Sequence, residues 1–123
     1  MALTVLTTEA MEEGSYFITV AFLDEDGDAE TPNVDTIYWT LTDNKGTVIN
    51  DRDYEAETSA NSITIELEGD DLAIQTGETA SLVRRRLVIL WEYDSDLGDD
   101  KPAKAEVIFL IRNLTRLPVE VPA

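Results

Sequence analysis

The sequence predicts an all-β chain that folds as a single antiparallel β-sandwich of about seven strands. Apolar and polar residues alternate with a period of two over most of the chain, as they do in strands with one buried face. Turn-forming residues interrupt this alternation about every eight to twelve positions, and no long stretch has the period of an amphipathic helix. The chain has 123 residues, which is the length of one domain. These observations favour one sandwich around a single core.

Seven segments carry strand signals, and the last two are the strongest. A turn is predicted at Asp43–Gly46, because Asn and Gly tolerate the left-handed backbone of tight hairpins. The polar stretch Asp94–Lys101 is predicted to be a loop, and residues 50–61 are predicted to be a loop or an irregular edge. In chain order, the predicted strands cover residues 3–8, 16–23, 36–42, 47–49, 62–67, 84–93 and 104–113.

The connections and the core suggest a topology. Residues Glu68–Glu78 are predicted to cross between the sheets and to bury Leu72 beneath the sandwich. Trp39 is expected in the core, opposite Leu87, Ile89 and Trp91. An immunoglobulin-like topology fits this order of strands, with packing in place of the usual cysteine pair. A fibronectin type III arrangement fits the same pattern, and the sequence leaves both open.

The chain is assigned to one domain with extended ends. Residues 1–113 are predicted to form the sandwich, and residues Met1–Glu9 at its start are expected to extend from it as an arm. Residues 114–123 are predicted to be an extended C-terminal arm, because this segment contains two prolines among alternating apolar residues.

The composition argues against an enzyme. The chain has neither cysteine nor histidine, which excludes disulfides, thiolate nucleophiles, cysteine-ligated metals and histidine-based catalytic triads. The remaining catalytic option is a pair of carboxylates, as in glycosidases, which needs a cleft that a small sandwich with short loops does not provide. We therefore expect no catalytic residues, no cofactor and no metal.

The net charge restricts the partners. The chain has 26 acidic and 9 basic residues, a formal charge of −17. Nucleic acid and anionic membranes would be repelled. The sequence starts without a signal-peptide pattern and contains no apolar run long enough for a membrane span, so we expect synthesis in a cytoplasm. All of the net charge falls in residues 1–83, while residues 84–123 carry equal numbers of acids and bases.

Two acidic loops are candidates for calcium binding. Asp24–Glu30 and Asp94–Asp100 would emerge at the same end of an immunoglobulin-like sandwich. Carboxylate oxygens from two loops are suitable ligands for Ca²⁺, although the spacing is not that of an EF-hand. The preferred interpretation is that these are solvated turns, in which Asp and Gly are favoured by backbone geometry.

The tripeptide Arg84–Arg86 contains a third of the basic residues. On a strand, Arg84 and Arg86 would share one face, and Arg85 would point to the other face near the rim. Two interpretations stay open at this stage. The arginines pair with acidic residues on neighbouring strands, or they bind an acidic surface on a partner or on a second copy. The candidate intramolecular partners are Glu66, Glu68 and Glu92.

The strongest candidate for a functional surface is an apolar patch. Both faces of the last two predicted strands are apolar, although the outer face of a sandwich sheet is usually polar. Contiguous exposed apolar residues generally mark an interface, or are covered by another segment. The alternative to a partner is coverage by the arm 114–123. The predicted interface residues are Tyr38, Val88, Leu90, Ile108 and Leu110.

Most of the chain, about residues 3–113, resembles small immunoglobulin-like virion proteins of tailed phages and prophages. The resemblance lies in strand patterns joined by characteristic turns. It implies attachment to a particle rather than catalysis, and it supplies no active-site residues. The segments that carry it are Tyr16–Phe22, Pro32–Asn33, Ile37–Asp43, Gly46–Asn50, Leu67–Leu72 and Tyr93–Gly98.

The expected function is therefore that of a virion structural protein, foremost a capsid decoration or cement protein on the outer surface of the head. Its partners would be other virion proteins, either major capsid or neck and tail subunits, together with further copies of itself. A neck or tail accessory role is the first alternative. An alternative of a different class is a calcium-dependent adhesion or carbohydrate-binding module, which calcium binding by the two acidic loops would favour.

Overall fold

The computed structural model describes residues 2–114, with the backbone alone for residues 2–4, and this part of the chain is all-β as predicted. A short 3₁₀ helix covers Gly69–Leu72. No helix in the described residues is long and apolar enough to cross a membrane. The strands are β1 (Ala2–Val5), β2 (Ala10–Met11), β3 (Ser15–Ala21), β4 (Ile37–Asp43), β5 (Glu55–Glu57), β6 (Ser62–Glu68), β7 (Leu82–Ser95) and β8 (Gly98–Arg112).

The strands form two sheets. The larger sheet has six strands in the order β1-β8-β7-β4-β5, with β2 also beside β8, and the smaller sheet pairs β3 with β6. Both β1 and β2 run parallel to β8. The expectation of a purely antiparallel fold is therefore wrong at this edge. Almost the whole chain separates β1 from β8, so no tight hairpin constrains their relative direction.

The longest ladder joins β7 to β8, and it replaces a predicted loop. The two strands pair from Leu82 opposite Arg112 to Ser95 opposite Gly98, with an irregularity between Tyr93 and Ser95. The prediction of a loop at Asp94–Lys101 is wrong, because polar residues can continue a two-stranded hairpin that extends into solvent.

Two further segments differ from the predicted strands. Residues 47–49 make only an isolated bridge, between Thr42 and Val48. The irregular segment 50–61 contains the short strand β5, which pairs with β4. Residues 47–49 are too few for a ladder, and residues 50–61 have no period of two, so the pairing of both segments depends on neighbouring strands.

The core lies between the facing sides of the two sheets. Alternate residues of β3 and β6 are buried, and they face the buried alternate residues of β4, β7 and β8. The Tyr16 ring stacks on Phe109 with centroids 5.0 Å apart, and Phe22 meets Trp91 edge-on at 4.8 Å. The predicted burial of Trp39, Leu72, Leu87, Ile89 and Trp91 is confirmed.

A buried carboxylate anchors the connection after β6. The Asp71 side chain is fully buried and accepts hydrogen bonds from Arg52 Nε at 2.8 Å and Arg52 Nη2 at 3.0 Å. It also accepts from Asn50 Nδ2 at 2.9 Å and from the Glu68 amide at 3.2 Å. The Arg52 guanidinium lies 5.5 Å from the centre of the Trp39 ring. This network ties the 3₁₀ helix to the segment that follows β4.

Alanine substitutions of two phenylalanines, one buried and one exposed, test which face of each sheet forms the core. Phe109→Ala should lower the free energy of unfolding by about 3–5 kcal/mol, because it leaves a cavity in the packed centre. Phe17→Ala should cost less than about 1 kcal/mol, because Phe17 lies on the outer face of β3 and is 61% exposed. Urea denaturation measures both, and equal losses for the two variants would contradict this assignment of faces.

Asp71 should make stability depend on acid pH. Burial alone would raise the pKa of Asp71, but hydrogen bonds from Arg52, Asn50 and the Glu68 amide outweigh it, so the pKa lies below its ordinary value of 3.8. Ionised Asp71 therefore stabilises the folded state at pH values above its ordinary pKa of 3.8. This stabilisation is lost as the pH falls through the lowered pKa of the folded state.

Asp71→Asn should therefore reduce the free energy of unfolding by about 2 kcal/mol near pH 7, and the difference from the unsubstituted chain should shrink below about pH 3. Denaturant titrations across this range measure the difference. Asp70→Asn, in the same helix but exposed, is the control and should change stability by no more than about 0.5 kcal/mol. A constant difference at all pH values would rule out the assigned role of Asp71.

Candidate interaction surface

All five residues predicted to form an interface lie on the outer face of the larger sheet. Tyr38 of β4 is directly opposite Leu90 of β7, and Val88 lies two residues earlier on the same face of β7. Ile108 and Leu110 occupy the matching face of β8, where Ile108 is one step diagonally from Val88 and Leu110 lies one step further along, opposite Arg84. We call these five residues the apolar band. The structure brings them together, and their binding to a partner stays a prediction.

The members of the band differ in exposure. Tyr38, Val88, Leu90 and Leu110 are half-buried, whereas Ile108 is only 6% exposed. Ile108 therefore supports the face, and the other four supply most of its accessible apolar area.

The band also extends beyond the predicted residues. Val5 lies beside Ile108 in the parallel pairing of β1 with β8 and is 58% exposed. Met11 lies beside Arg112 and is also exposed. Neither residue was predicted from the sequence, because the position of a parallel edge strand leaves no local signal.

Basic residues surround the apolar band. Arg84 is opposite Leu110, Arg86 is opposite Ile108 and Lys104 is opposite Leu90, so all three share the outer face, together with Arg112. Four of the nine basic residues are thus on one face of a chain with charge −17, which makes this face distinct from the acidic remainder.

Two of these bases are already paired. Arg86 Nη2 contacts Glu106 Oε2 at 2.9 Å, and Arg112 Nη2 contacts Glu9 Oε2 at 2.7 Å. Arg84 and Lys104 are exposed and form no ion pair with the side chains described from Val5 to Leu114. The face can therefore offer two cations beside apolar area.

The three consecutive arginines divide between the two faces. Arg85 points away from Arg84 and Arg86, as predicted, but it is fully buried rather than near the rim. Its guanidinium donates to both Glu78 oxygens, at 2.6 and 2.7 Å, and to the Ala73 carbonyl at 3.2 Å. Burial would raise the pKa of Glu78, but hydrogen bonds from Arg85 hold it below its ordinary value of 4.5. This pair is part of the core and is not available to a partner.

The predicted ion partners of the arginines are wrong. Glu66 and Glu68 belong to β6 in the other sheet, so Arg84 and Arg86 cannot face them. Glu92 lies six residues beyond Arg86 on β7 itself, opposite Pro102, and is too far along the strand to pair with either arginine. Arg86 pairs instead with Glu106, which lies on the same outer face of the adjacent strand. The second interpretation, an acidic surface on a partner, stays a prediction for Arg84.

The acidic segments Asp24–Glu30 and Asp94–Asp100 meet at one end of the molecule, as predicted, although the second segment is the end of the β7–β8 hairpin rather than a loop. They line a cavity of about 260 Å³. Many of their carboxylates hold the turns: Asp24 Oδ1 accepts from the amides of Asp26 and Asp28, and Asn33 Nδ2 donates to both Asp94 and Asp100. Among the described residues, no group of three or more acidic side chains is placed to hold a metal ion.

The pKa values at this end reflect the same contacts. Hydrogen bonds from the Asp100 amide and Asn33 hold the pKa of Asp94 below its ordinary value. Loss of solvent contact, followed by the nearby charge of Glu25, raises the pKa of Tyr93. These contacts lie near the tip of the β7–β8 hairpin, where Asp94 has a structural role because it accepts hydrogen bonds from the Asp100 amide and from Asn33.

No family model, curated protein or solved structure matches this chain. The functional assignment therefore rests on the residues and geometry of the chain itself. The outer face of the larger sheet is the strongest candidate, because it combines accessible apolar area with two basic side chains that form no ion pair among the described residues.

The geometry of the acidic end predicts that calcium has little effect on the thermal stability of the protein. A site with a Kd of about 10 μM would stabilise the folded state by about 2.7 kcal/mol in about 1 mM Ca²⁺, which would raise the Tm by about 8 °C or more. We expect a change in Tm below about 1 °C, measured by differential scanning calorimetry with CaCl₂ or with the same ionic strength of NaCl. A large, calcium-specific rise would support the adhesion or carbohydrate-binding alternative.

Proposed function

We propose that the protein is a structural component of a tailed-phage virion, a capsid decoration or cement protein that binds the outer surface of the head. The observation that carries this proposal is the apolar band with basic residues around it, on the outer face of the larger sheet. The resemblance of the sequence to small virion proteins supports the same role. The protein would act by binding, with no catalytic step.

The chemistry of the face defines the partner surface. Half-buried Tyr38, Val88, Leu90 and Leu110 would be covered by apolar side chains of the partner, at about 25 cal/mol for each Å² removed from water. Arg84 and Lys104 would meet carboxylates at the rim, where charge complementarity increases the association rate and fixes the orientation. The partner is therefore an apolar surface with an acidic rim, formed by shell subunits.

If the protein binds the assembled shell but not the free shell subunits, it would stabilise the particle by mass action, because the docked copies favour the assembled state. A standard protein interface buries about 800 Å² on each side, more than the apolar band alone provides. Neighbouring residues such as Val5 and Met11, both exposed beside the band, would contribute the remainder.

The charge of −17 is consistent with this mechanism. Mutual repulsion would keep free copies soluble and apart before docking. The same field would disfavour nucleic acid and anionic lipid as partners. Because the bases are concentrated on the outer face, approach of this face to an acidic rim would be the favoured orientation.

We further infer that the fold is an immunoglobulin-like sandwich. In such a domain the second strand pairs with the fifth, and the third, sixth and seventh strands form the facing sheet. Counting β1 and β2 as one interrupted first strand, the β3–β6 pair and the β4, β7 and β8 ladder correspond to these sets. Buried Trp39 on β4 is a further point of agreement. A fibronectin type III arrangement has the same pairing.

Substitution of the apolar band tests the proposal. Leu90→Asp should leave the fold intact, because Leu90 is half-exposed, and should weaken binding to the particle by about tenfold or more. The control is Thr64→Asp, an exposed position on the outer face of the smaller sheet, which should change binding by less than about twofold. The measurement is co-sedimentation with heads that lack the protein and, separately, with purified tails.

The same assay compares two variants that each reverse one basic charge. Arg84→Glu and Lys45→Glu change the net charge equally, but only Arg84 is on the outer face, while Lys45 lies in the turn after β4. Arg84→Glu should weaken binding and reduce its salt dependence, and Lys45→Glu should have a small effect. Binding to purified tails but not to heads would favour the neck or tail accessory role. Equal effects of Leu90→Asp and Thr64→Asp on binding to the particle would reject this docking face.

A further inference from the structure

The apolar band ends in a pocket. A cavity of about 340 Å³ lies at the end of the band that is farther from Arg84, where Tyr38 and Leu90 line it together with Pro102 and Lys104 of β8. A closed apolar cavity of about 150 Å³ is large enough to hold a benzene molecule. The pocket therefore has room for one large side chain of a partner.

The register of three neighbouring strands builds this pocket. Tyr38 is opposite Leu90, and Leu90 is opposite Lys104, so these side chains form one row across the outer face. Glu92 and Pro102 form the next row on the same face, because side chains alternate along a strand. Since β7 lies between β4 and β8, Leu90 and Glu92 form the floor, and the two outer strands supply the walls.

Hydrogen bonds fix one wall of the pocket in advance. The Glu92 amide donates to Thr36 Oγ1 at 3.2 Å, and this hydroxyl donates to the Asn33 carbonyl at 2.7 Å. The Asn33 amide in turn donates to the Glu92 carbonyl at 2.8 Å. The segment before β4 is thus held against β7. A pocket whose walls are already ordered loses less conformational entropy when a partner binds.

The Glu92 carboxylate gives the pocket a free hydrogen-bond acceptor. Glu92 is half-buried, and its carboxylate has no ion pair or hydrogen bond within the part of the chain that the structure describes. Lys104 is one step diagonally from Glu92 on β8, but the two side chains do not pair. Removal of a carboxylate from water is unfavourable unless a donor replaces the water. The pocket therefore favours an occupant that brings an N–H or O–H group to Glu92.

We propose that the pocket binds one tyrosine or tryptophan side chain of the partner, with its ring on Leu90 and its O–H or N–H donating to Glu92. Such a side chain combines a large apolar body with a donor at its tip, which matches apolar walls and a single free acceptor. Tyrosine and tryptophan also dominate the binding energy of many interfaces. Lys104 at the rim stays available to a carboxylate beside the aromatic residue. This inference rests on the proposed function, because it names the residue by which the shell surface is anchored.

Substitution of Glu92 tests the anchor in the full chain. Glu92→Leu adds apolar area and removes a negative charge, so it would strengthen binding to a flat apolar surface with an acidic rim. If Glu92 accepts a hydrogen bond from the anchor, the same substitution should instead weaken binding to heads that lack the protein by about tenfold. The control Glu66→Leu makes the same change on the exposed outer face of the smaller sheet. It should change binding by less than about twofold.

The same assay separates the anchor from the docking face. If Leu90→Asp weakens binding to heads but Glu92→Leu binds as tightly as the unsubstituted chain, the docking face stands and the anchor is overturned. Selective weakening by Glu92→Leu, with little effect of Glu66→Leu, supports the anchor.

Titration with indole tests the pocket without the particle. Indole is the tryptophan side chain without its backbone, and it should shift the NMR signals of the Leu90, Glu92 and Lys104 amides in a saturable way. N-methylindole has the same ring system without the N–H donor, and should bind at least about threefold more weakly. Equal binding of the two compounds, or no shift at these amides, would overturn the proposal. Selective indole binding by a protein that binds neither heads nor tails would support the pocket and reject the virion role.

Discussion

The ladder between β7 and β8 is the element on which the rest of the structure depends. Thirteen residue pairs join these strands, β4 adds to one side and β1 and β2 add to the other. Because side chains alternate across a sheet, one face of the ladder supplies Leu87, Ile89 and Phe109 to the core, and the other supplies four of the five residues of the apolar band. A shift of one residue in its register would therefore exchange the core with the proposed docking face.

The same alternation explains the distribution of charge. Residues 84–123, which carry no net charge, include the whole β8 strand and most of β7, so the neutral part of the sequence becomes the central part of the larger sheet. Within Arg84–Arg86, alternation sends two guanidinium groups to the outer face and buries the third. Nη1 and Nη2 of the buried Arg85 donate to Glu78, which lies in the connection between β6 and β7. The arginine tripeptide thus combines a structural residue with surface residues.

Local alternation allowed five strands to be predicted, because β3, β4, β6, β7 and β8 each have one buried face. The same alternation was sufficient to predict that the five band residues share one face, without knowledge of which strands are neighbours. The polar hairpin end, β5 and the parallel edge were not predictable in this way, because each depends on pairing between distant segments. Val5 was missed for the same reason, as was the pairing of Arg86 with Glu106, which requires the register of β7 against β8.

The proposed docking face and the core make different demands on the sequence. Half-exposed residues such as Val88 and Leu90 contribute less to folding than Leu87 or Ile89 on the opposite face, which are fully buried. Substitutions on the outer face would therefore change the proposed docking surface without emptying the core. Ile108 is the exception, because it belongs to the band and is nearly buried. It links the two functions, so a change there would alter the fold and the docking surface together.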